Sequence, residues 1–446
     1  MFYRNILAEL HDWAEKPGRK PLILRGARQV GKTTAVRLFS KGFDKFIALN
    51  LELKKERDLF EKNYIVSDLI TAIHLYKNIT KGGRTLLFID EIQNSPEAVS
   101  MLRYFYEEAG DIYVIAAGSL LESLIDTNVN FPVGRVEYLR IHPCSFTEYL
   151  GALGENQSLS LLEQVPFPEY AHTKLYDLFH TYTLTGGMPE AISSYSEHHD
   201  LTKLNPIYDS LIVSYLDDVE KYAPNNTMIN IIRHTIRNAF LAAGGRIKFQ
   251  GFGNSNYKSR EVGEAFRILE KTMLLQLLYP VSSFNLPMQP DTKKSPKLQV
   301  LDTGLINYLA GIQYELFDAE NIDKVYNGKI SEHIAGQEIL SLNSSPLFKL
   351  NFWTREDKST NAEVDFIWKY KNYLLPIEVK SGTTGRLRSL FEFIDRAPHQ
   401  FAVRIYSGML SIEKEKTIKG KEFILLNLPF YLINKIDKYI ELMMEM

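Results

Sequence analysis

The run Gly26-Ala27-Arg28-Gln29-Val30-Gly31-Lys32-Thr33 matches the pattern G-x-x-x-x-G-K-[ST] without a mismatch. It directly follows an apolar, strand-like stretch and opens a segment with helical spacing, the context in which this pattern binds phosphate. The glycines let successive backbone N–H groups curl around phosphate oxygens, and the helix N-terminus adds its partial positive charge. The phosphate-contacting positions are therefore Gly26, Ala27, Arg28, Gln29, Val30, Gly31, Lys32, Thr33 and Thr34. Lys32 would reach the β- and γ-phosphates of ATP, and the Thr33 hydroxyl would ligate Mg²⁺. Arg28 has a second reading, an ion pair inside the domain.

Downstream, Leu86-Leu87-Phe88-Ile89-Asp90-Glu91 reads as a buried strand ending in two carboxylates. Asp90 would hold Mg²⁺, and Glu91 would polarise the attacking water as general base. An acid directly after the metal aspartate favours an ATPase over a small GTPase, and no Asn-Lys-x-Asp guanine signature follows. Ser119, past the next strand, is a candidate γ-phosphate sensor; a plain turn serine is the alternative. Arg135 is a candidate arginine finger, in cis or toward a neighbouring subunit, against a surface arginine at a strand end.

A second set lies in the last third. Glu363-Val364-Asp365-Phe366 and Pro376-Ile377-Glu378-Val379-Lys380 read as successive strands. Side chains alternate along a strand, so Val364, Phe366, Ile377 and Val379 face a core while Asp365, Glu378 and Lys380 face the other way. Paired as a hairpin, they would bring two carboxylates and a lysine onto one divalent cation, Mg²⁺ or Mn²⁺. Solvated strand faces or cross-strand ion pairs give the same spacing.

The elements that must position these groups follow from periodicity. Short β-type runs at 21–25, 45–50, 85–90, 113–117 and 136–141 alternate with helical segments such as 33–40 and 96–109, which predicts a parallel sheet covered on both faces. The pattern then turns mostly helical, broken by Gly186-Gly187-Met188-Pro189. Helices near 229–243 and 259–275, then an apparent hairpin from 277–281 to 298–301, outline a winged helix. A helix near 330–340 precedes strands at 362–368, 374–379 and 401–406. The expected division is an ATPase core over 1–149, a mostly helical stretch over 150–224, a winged-helix domain over 225–310 and a last unit that returns to strands over 311–446.

Bulk properties frame this. At 446 residues the chain is too long for one core. A formal charge of −2 supplies no global basic field, so nucleic acid would need a local patch. Arg233, Arg237, Arg246, Lys248, Lys258, Arg260 and Arg267, with Lys293, Lys294 and Lys297 on the wing, are the candidates for phosphate contact, interleaved with Phe249, Phe252 and Tyr257. A protein–protein winged helix with solvated charges is the alternative. The single cysteine, Cys144, excludes an intramolecular disulfide, and no apolar run approaches a bilayer span, so the expectation is a cytoplasmic protein without a membrane segment. The acidic, amphipathic N-terminal helix is not a signal peptide.

Gly-Ala-Arg-Gln-Val-Gly-Lys-Thr-Thr at 26–34, Ile-Asp-Glu-Ile-Gln at 89–93, Ala-Ala-Gly-Ser at 116–119, Gly-Gly-Met-Pro-Glu at 186–190 and the stretch from Gly134-Arg135 to His142-Pro-Cys-Ser-Phe-Thr-Glu-Tyr149 resemble one prokaryotic family. It comprises AAA-type ATPases with a C-terminal nuclease-like domain of unassigned function. The resemblance implies ATP binding and hydrolysis on an α/β multidomain fold: P-loop parallel-sheet core, helical lid, winged helix and restriction-endonuclease-like domain. The last third resembles the PD-(D/E)xK pattern, which implies Asp365 and Glu378 as metal ligands, Lys380 as transition-state stabiliser and Glu332 as a further acid from the preceding helix. Two functions follow as expectations. ATP turnover controls a metal-dependent cut in DNA, or the chain is a nucleotide switch whose C-terminal half meets an unknown protein partner. A finger at Arg135 acting in trans would demand a homo-oligomer.

Overall fold

Leu86, Leu87, Phe88 and Ile89 are four consecutive buried apolar residues, a run that suits a strand covered on both faces. In the computed structural model, which describes residues 2–62, 64–118, 132–311, 328–355, 362–382 and 385–446, they form the second strand of a five-stranded sheet. Its strands are β1 (Leu22–Arg25), β2 (Lys45–Asn50), β3 (Thr85–Asp90), β4 (Tyr113–Gly118) and β5 (Glu137–Arg140). They lie in the order β2-β3-β4-β1-β5, every pair parallel. The order puts β1, the strand feeding the glycine loop, beside β4 and one strand from β3, so Arg25 and Asp90 both finish at the same sheet edge. Helices α1 (Ile6–Glu15) and α2 (Lys32–Phe39) pack on one face, and α3 (Lys54–Glu61), α4 (Val66–Tyr76) and α5 (Pro96–Glu108) on the other. Ser95 caps α5 by accepting from the Ala98 N–H, with Pro96 at the first helical position.

Beyond the sheet come α6 (Phe146–Ala152), α7 (Asn156–Leu162), α8 (His172–Thr185), α9 (Pro189–His198) and α10 (Asn205–Tyr222). The break between α8 and α9 is sterically determined. A Cβ on Gly186 would lie 2.3 Å from Asp302 Oδ1, and one on Gly187 2.4 Å from the Cys144 carbonyl oxygen. Only glycine threads between these two groups.

Helices α11 (Asn226–Ala239) and α12 (Ser259–Lys271) pack together, α12 burying Val262, Ala265, Phe266 and Leu269. The hairpin anticipated after them forms from β6 (Leu275–Leu278) and β8 (Lys297–Val300), antiparallel with Leu278 opposite Lys297. It differs from expectation at its outer end. Pro280 has no N–H to continue the ladder, and β7 (Pro280–Val281) leaves to pair in parallel with β9 (Phe352–Thr354) of another sheet.

Helix α13 (Thr303–Ala310) follows, and α14 (Lys329–Ser341) leads into the last unit. There β11 (Phe366–Tyr370) and β12 (Tyr373–Lys380) form an antiparallel hairpin. Together with β13 (Phe401–Tyr406), β14 (Ser411–Lys416) and β15 (Glu422–Pro429) they make a mixed sheet ordered β11-β12-β13-β15-β14. A continuous strand over 362–368 was expected. Instead the chain changes sheets at Asp365: β10 (Glu363–Val364) pairs with β9, and β11 begins only at Phe366. Helix α15 (Arg388–Ile394) connects β12 to β13, and α16 (Ile436–Met444) ends the chain.

One apolar cluster runs from Leu10 and Trp13 through Leu24 and Val36 to Tyr208, Ile232, Phe266 and Leu305, joining the core to α10–α13. Another joins Phe146, Tyr149 and Tyr182 to Phe352, Ile377, Tyr431 and Tyr439. Helices α6–α8 thus share a core with the C-terminal sheet. Among the described residues no helix is long and apolar enough to cross a membrane.

Candidate functional site

The glycine loop leaves β1 where β5 exits beside it. Ile141 N–H donates to the Arg25 carbonyl at 2.7 Å, and a Cβ on Gly26 would lie 2.6 Å from Ile141 Cγ2. Gly31 stands at φ +94°, a conformation costly for any other residue. Lys32 is 7% exposed and donates to the Gly26 and Ala27 carbonyls at 2.9 and 2.8 Å. Burial lowers its pKa to about 8, against the opposing pull of Glu91 and Asp90. A buried ammonium held by carbonyl dipoles is poised for an anion.

Thr33 Oγ1 donates to Asp90 Oδ2 at 2.7 Å, so the hydroxyl and the carboxylate meet across 57 residues of sequence. Burial raises the Asp90 pKa, and the Thr33 hydrogen bond offsets part of that. Hydroxyl and carboxylate oxygens are the donor set that Mg²⁺ takes when it bridges to phosphate, and these residues fit it. Glu91 sits at φ +52° and accepts from Gln93 Nε2 at 2.5 Å. A strained non-glycine backbone beside Asp90, with its side chain held by an amide, is a positioned carboxylate.

These groups line a cavity of about 620 Å³. Arg28, Gln29, Gly31 and Thr34 are on its wall; Ala27 and Val30 are buried, their side chains serving the core. Arg28 makes a two-oxygen ion pair with Asp218 of α10, an ion pair that reaches outside the expected 1–149 core instead of staying inside the domain. Ser119 lies outside the described residues. Arg135 is not brought to the site. Strand β5 runs parallel to β1 with Leu22 beside Glu137, so Arg135 stands at the opposite sheet edge, paired with Glu107 at 2.8 Å. A finger acting on its own subunit's nucleotide is thereby corrected.

Sequence reasoning missed Phe2, Arg4, Pro189, Glu190 and Ser193, which close the cavity from the chain's start and from α9. The Gly186–Glu190 break was the available signal for three of them. Arg4 carried none. It is 4% exposed, donates to the Val30 carbonyl at 2.8 Å and pairs with Glu148 at 3.0 Å.

The second constellation also assembles. The hairpin register sets Phe366 opposite Ile377, so Asp365 faces Glu378. Asp365 Oδ2 accepts the Val379 N–H at 2.8 Å, and Glu378 Oε1 accepts from Lys380 Nζ at 2.8 Å. A residue from another element sits among them. Lys297 of β8, 4% exposed, puts its ammonium 2.5 Å from Glu332, 2.8 Å from Glu363 and 3.2 Å from Asp365. Arg246 adds a pair to Glu363 at 2.9 Å. Burial pushes Glu332 and Glu378 upward, and Asp365 adds to it. For Lys297 burial works downward, but Glu332, Asp365 and Glu363 outweigh it and hold the ammonium charged. The set does not fit a divalent metal in this arrangement, because a lysine already takes the oxygens a metal would share. Among the described residues no group of three or more His, Cys, Asp or Glu could hold a metal ion.

The basic patch is likewise reduced. Lys297 is buried in that cluster, Arg233 pairs with Glu220 at 2.8 Å, and Phe252 is a core residue stacked edge-on against Phe266.

Parallel order, glycine loop, buried lysine and Thr33–Asp90 pair define a P-loop AAA-type ATPase domain. Residues 18–150 match the family model described as AAA domain. Residues 176–316 and 327–431 match two domains of unknown function (DUF8612 and DUF4143). No curated protein matches the chain. Among solved structures it is similar to the Walker-type ATPase PABY2304 of Pyrococcus abyssi, at 15% identity over 70% of this chain and 96% of that one, TM-score 0.45. It is also similar to a single-substitution variant of Thermotoga maritima RuvB, at 14% identity over 64% of this chain and 89% of that one, TM-score 0.28. A third is the Aeropyrum pernix ORC1 protein in complex with DNA, at 12% identity over 69% and 93%, TM-score 0.25.

Proposed function

We propose that the chain is a Mg²⁺-dependent ATP hydrolase that acts as a nucleotide switch. The observation that carries this is the meeting of buried Lys32 with the Thr33–Asp90 pair at one sheet edge. Lys32 would bind the β- and γ-phosphates, and Thr33 and Asp90 would hold Mg²⁺, which supplies charge neutralisation on the phosphates. Glu91, oriented by Gln93, would take the proton of the attacking water on its carboxylate. The Arg28–Asp218 pair ties the phosphate loop to α10, giving nucleotide occupancy a route into the middle helices.

Steady-state ATP hydrolysis by wild type, Lys32→Ala and Glu91→Gln tests this. Lys32→Ala should lose binding and turnover together. Glu91→Gln should keep ATP binding and turn over roughly 10²-fold or more slowly, the usual worth of a general base. Unchanged turnover in both variants overturns the reading.

The nuclease-like reading of the last third is supported by Asp365 opposite Glu378, with Lys380 and Glu332 at hand, and the helix-pair-plus-hairpin outline supports a winged helix. The Lys297 pairing favours the switch over a DNA-cutting enzyme, with the C-terminal half as an interaction module for a protein partner. If Arg135 serves as a finger it does so toward a second copy, so light scattering with and without ATP should then show a homo-oligomer that mixes active and Arg135→Ala subunits.

A further inference from the structure

A second cavity, of about 270 Å³, shares no lining residue with the nucleotide site and lies where three parts of the chain meet. The core contributes Arg25 and Arg140, the last turn of α12 contributes Arg267, Glu270 and Lys271, and the segment after α14 contributes Lys349. Arg25 and Arg140 are register partners on adjacent parallel strands, so their backbones stand about 4.8 Å apart. The lining therefore carries five cationic side chains and one carboxylate. That carboxylate is engaged: Glu270 Oε1 accepts the Leu277 N–H at 3.0 Å and faces Lys349 at 3.6 Å. Low-dielectric walls concentrate the field of a mostly cationic lining on whatever anion enters.

We propose that this cleft is a binding site for phosphate oxyanions, taken either from a nucleic-acid strand or from a small phosphorylated molecule. Its volume admits a phosphate with part of what it is attached to, and Arg side chains offer planar paired donors that match phosphate oxygens. Arg25 immediately precedes Gly26, so the anion would sit at the root of the phosphate loop. The site is separate from the ATP cavity and does not depend on the switch reading.

The test uses the full chain in the Lys32→Ala background, which removes phosphate binding at the ATP loop. Fluorescence anisotropy would follow a labelled single-stranded oligonucleotide and a labelled duplex, and calorimetry would follow inorganic pyrophosphate, each across a salt series. Arg267→Glu and Lys349→Glu reverse two of the lining charges, and Lys349→Gln serves where reversal harms folding. Binding of either ligand, weakened roughly tenfold by each reversal with the salt slope reduced by about one per lost contact, supports the site. Oligonucleotide displaced by pyrophosphate identifies a strand as a source, and pyrophosphate bound without oligonucleotide identifies a small phosphate. Absence of binding by all three ligands, or binding indifferent to both reversals, overturns it.

Discussion

Replacing Lys297 with methionine removes the charge and keeps the stem's length. The ammonium serves three carboxylates within 3.2 Å and is 4% exposed, so the variant leaves buried acid without its counter-charge. Breaking a buried pair by removing one partner costs about 3–5 kcal/mol. Glu332 and Glu363 keep side-chain exposures of 18% and 30%, which argues for the lower end, about 3 kcal/mol. The pH dependence has a definite sign. Burial already raises the Glu332 and Glu378 pKa values, so below neutral pH these groups can take up a proton and relieve the variant. Its deficit should therefore widen as pH rises through the neutral range. For a unit of 150–250 residues about 3 kcal/mol is roughly 6–12 °C in Tm. Two of the three tryptophans, Trp353 and Trp368, lie in β9 and β11, while Trp13 packs on the ATPase core, so fluorescence melting reads chiefly the relevant unit. Lys416→Met is the control, because its pair with Glu422 is exposed and worth about 0–1 kcal/mol. The same samples, titrated with Mn²⁺ without nucleotide, should show a metal site only in Lys297→Met. A variant that melts within about 2 °C of wild type, less than the shift from 1 kcal/mol, would refute the reasoning. So would a wild type that binds Mn²⁺ in a manner lost in Asp365→Asn.

Further outcomes follow from other contacts. Asp218→Asn removes the partner of Arg28; because Arg28 is 40% exposed the stability loss should stay below about 1 kcal/mol. ATP affinity should nonetheless shift severalfold by calorimetry, and an unchanged affinity would remove α10 from the switch. Cys144 is fully buried and its thiol is pushed up, first by burial, so native protein at pH 8 should resist a thiol reagent that labels it readily in guanidinium. Burial pushes Asp302 up to about 6, against its backbone hydrogen bonds. Stability from this group is complete below about pH 4 and lost as pH rises through about 6, up to roughly 3 kcal/mol relative to Asp302→Asn in urea melts at pH 4 and 7. Arg135→Ala should leave turnover by an isolated subunit unchanged, since the residue stands at the far sheet edge; a loss that persists in dilute monomer contradicts that placement.

The candidate ATP site was legible because its chemistry is local. Gly26, Gly31, Lys32 and Thr33 sit within one turn, and Asp90 ends an all-apolar run whose burial on both faces is written in its composition. Parallel pairing then brings Thr33 to Asp90 with no further information. Arg4 and Lys297 illustrate what was hidden. Each is a lone cation in an ordinary stretch, and its role comes from a partner more than 30 residues away in sequence, Glu148 or Glu332, placed by tertiary packing. Asp365 shows a subtler limit. Alternation identified the right face, but it could not show that the strand is cut there to serve two sheets.

The packing favours a particular direction of signal. Helices α6–α8 share a core with the C-terminal sheet, and α10–α13 share one with the ATPase sheet, so neither set is a lid hinged on loops alone. The Gly186–Gly187 turn is the junction between them. It is clamped on one side by Asp302, which accepts the Gly187 N–H, and on the other by Cys144, whose N–H donates to the Gly187 carbonyl at 2.7 Å. Immediately after it, Pro189, Glu190 and Ser193 form a wall of the nucleotide cavity. A nucleotide that draws α9 inward must therefore pull on a turn in which neither glycine can accept a Cβ. The movement has to pass to Asp302 and α13 or to Cys144 and α6 rather than dissipate in the turn. Gly187→Ala should accordingly uncouple ATP binding from any change in the C-terminal half before it harms ATP binding itself. Hydrogen exchange with and without nucleotide measures both quantities on one sample, and equal loss of the two would show that the turn supports the site instead of transmitting from it.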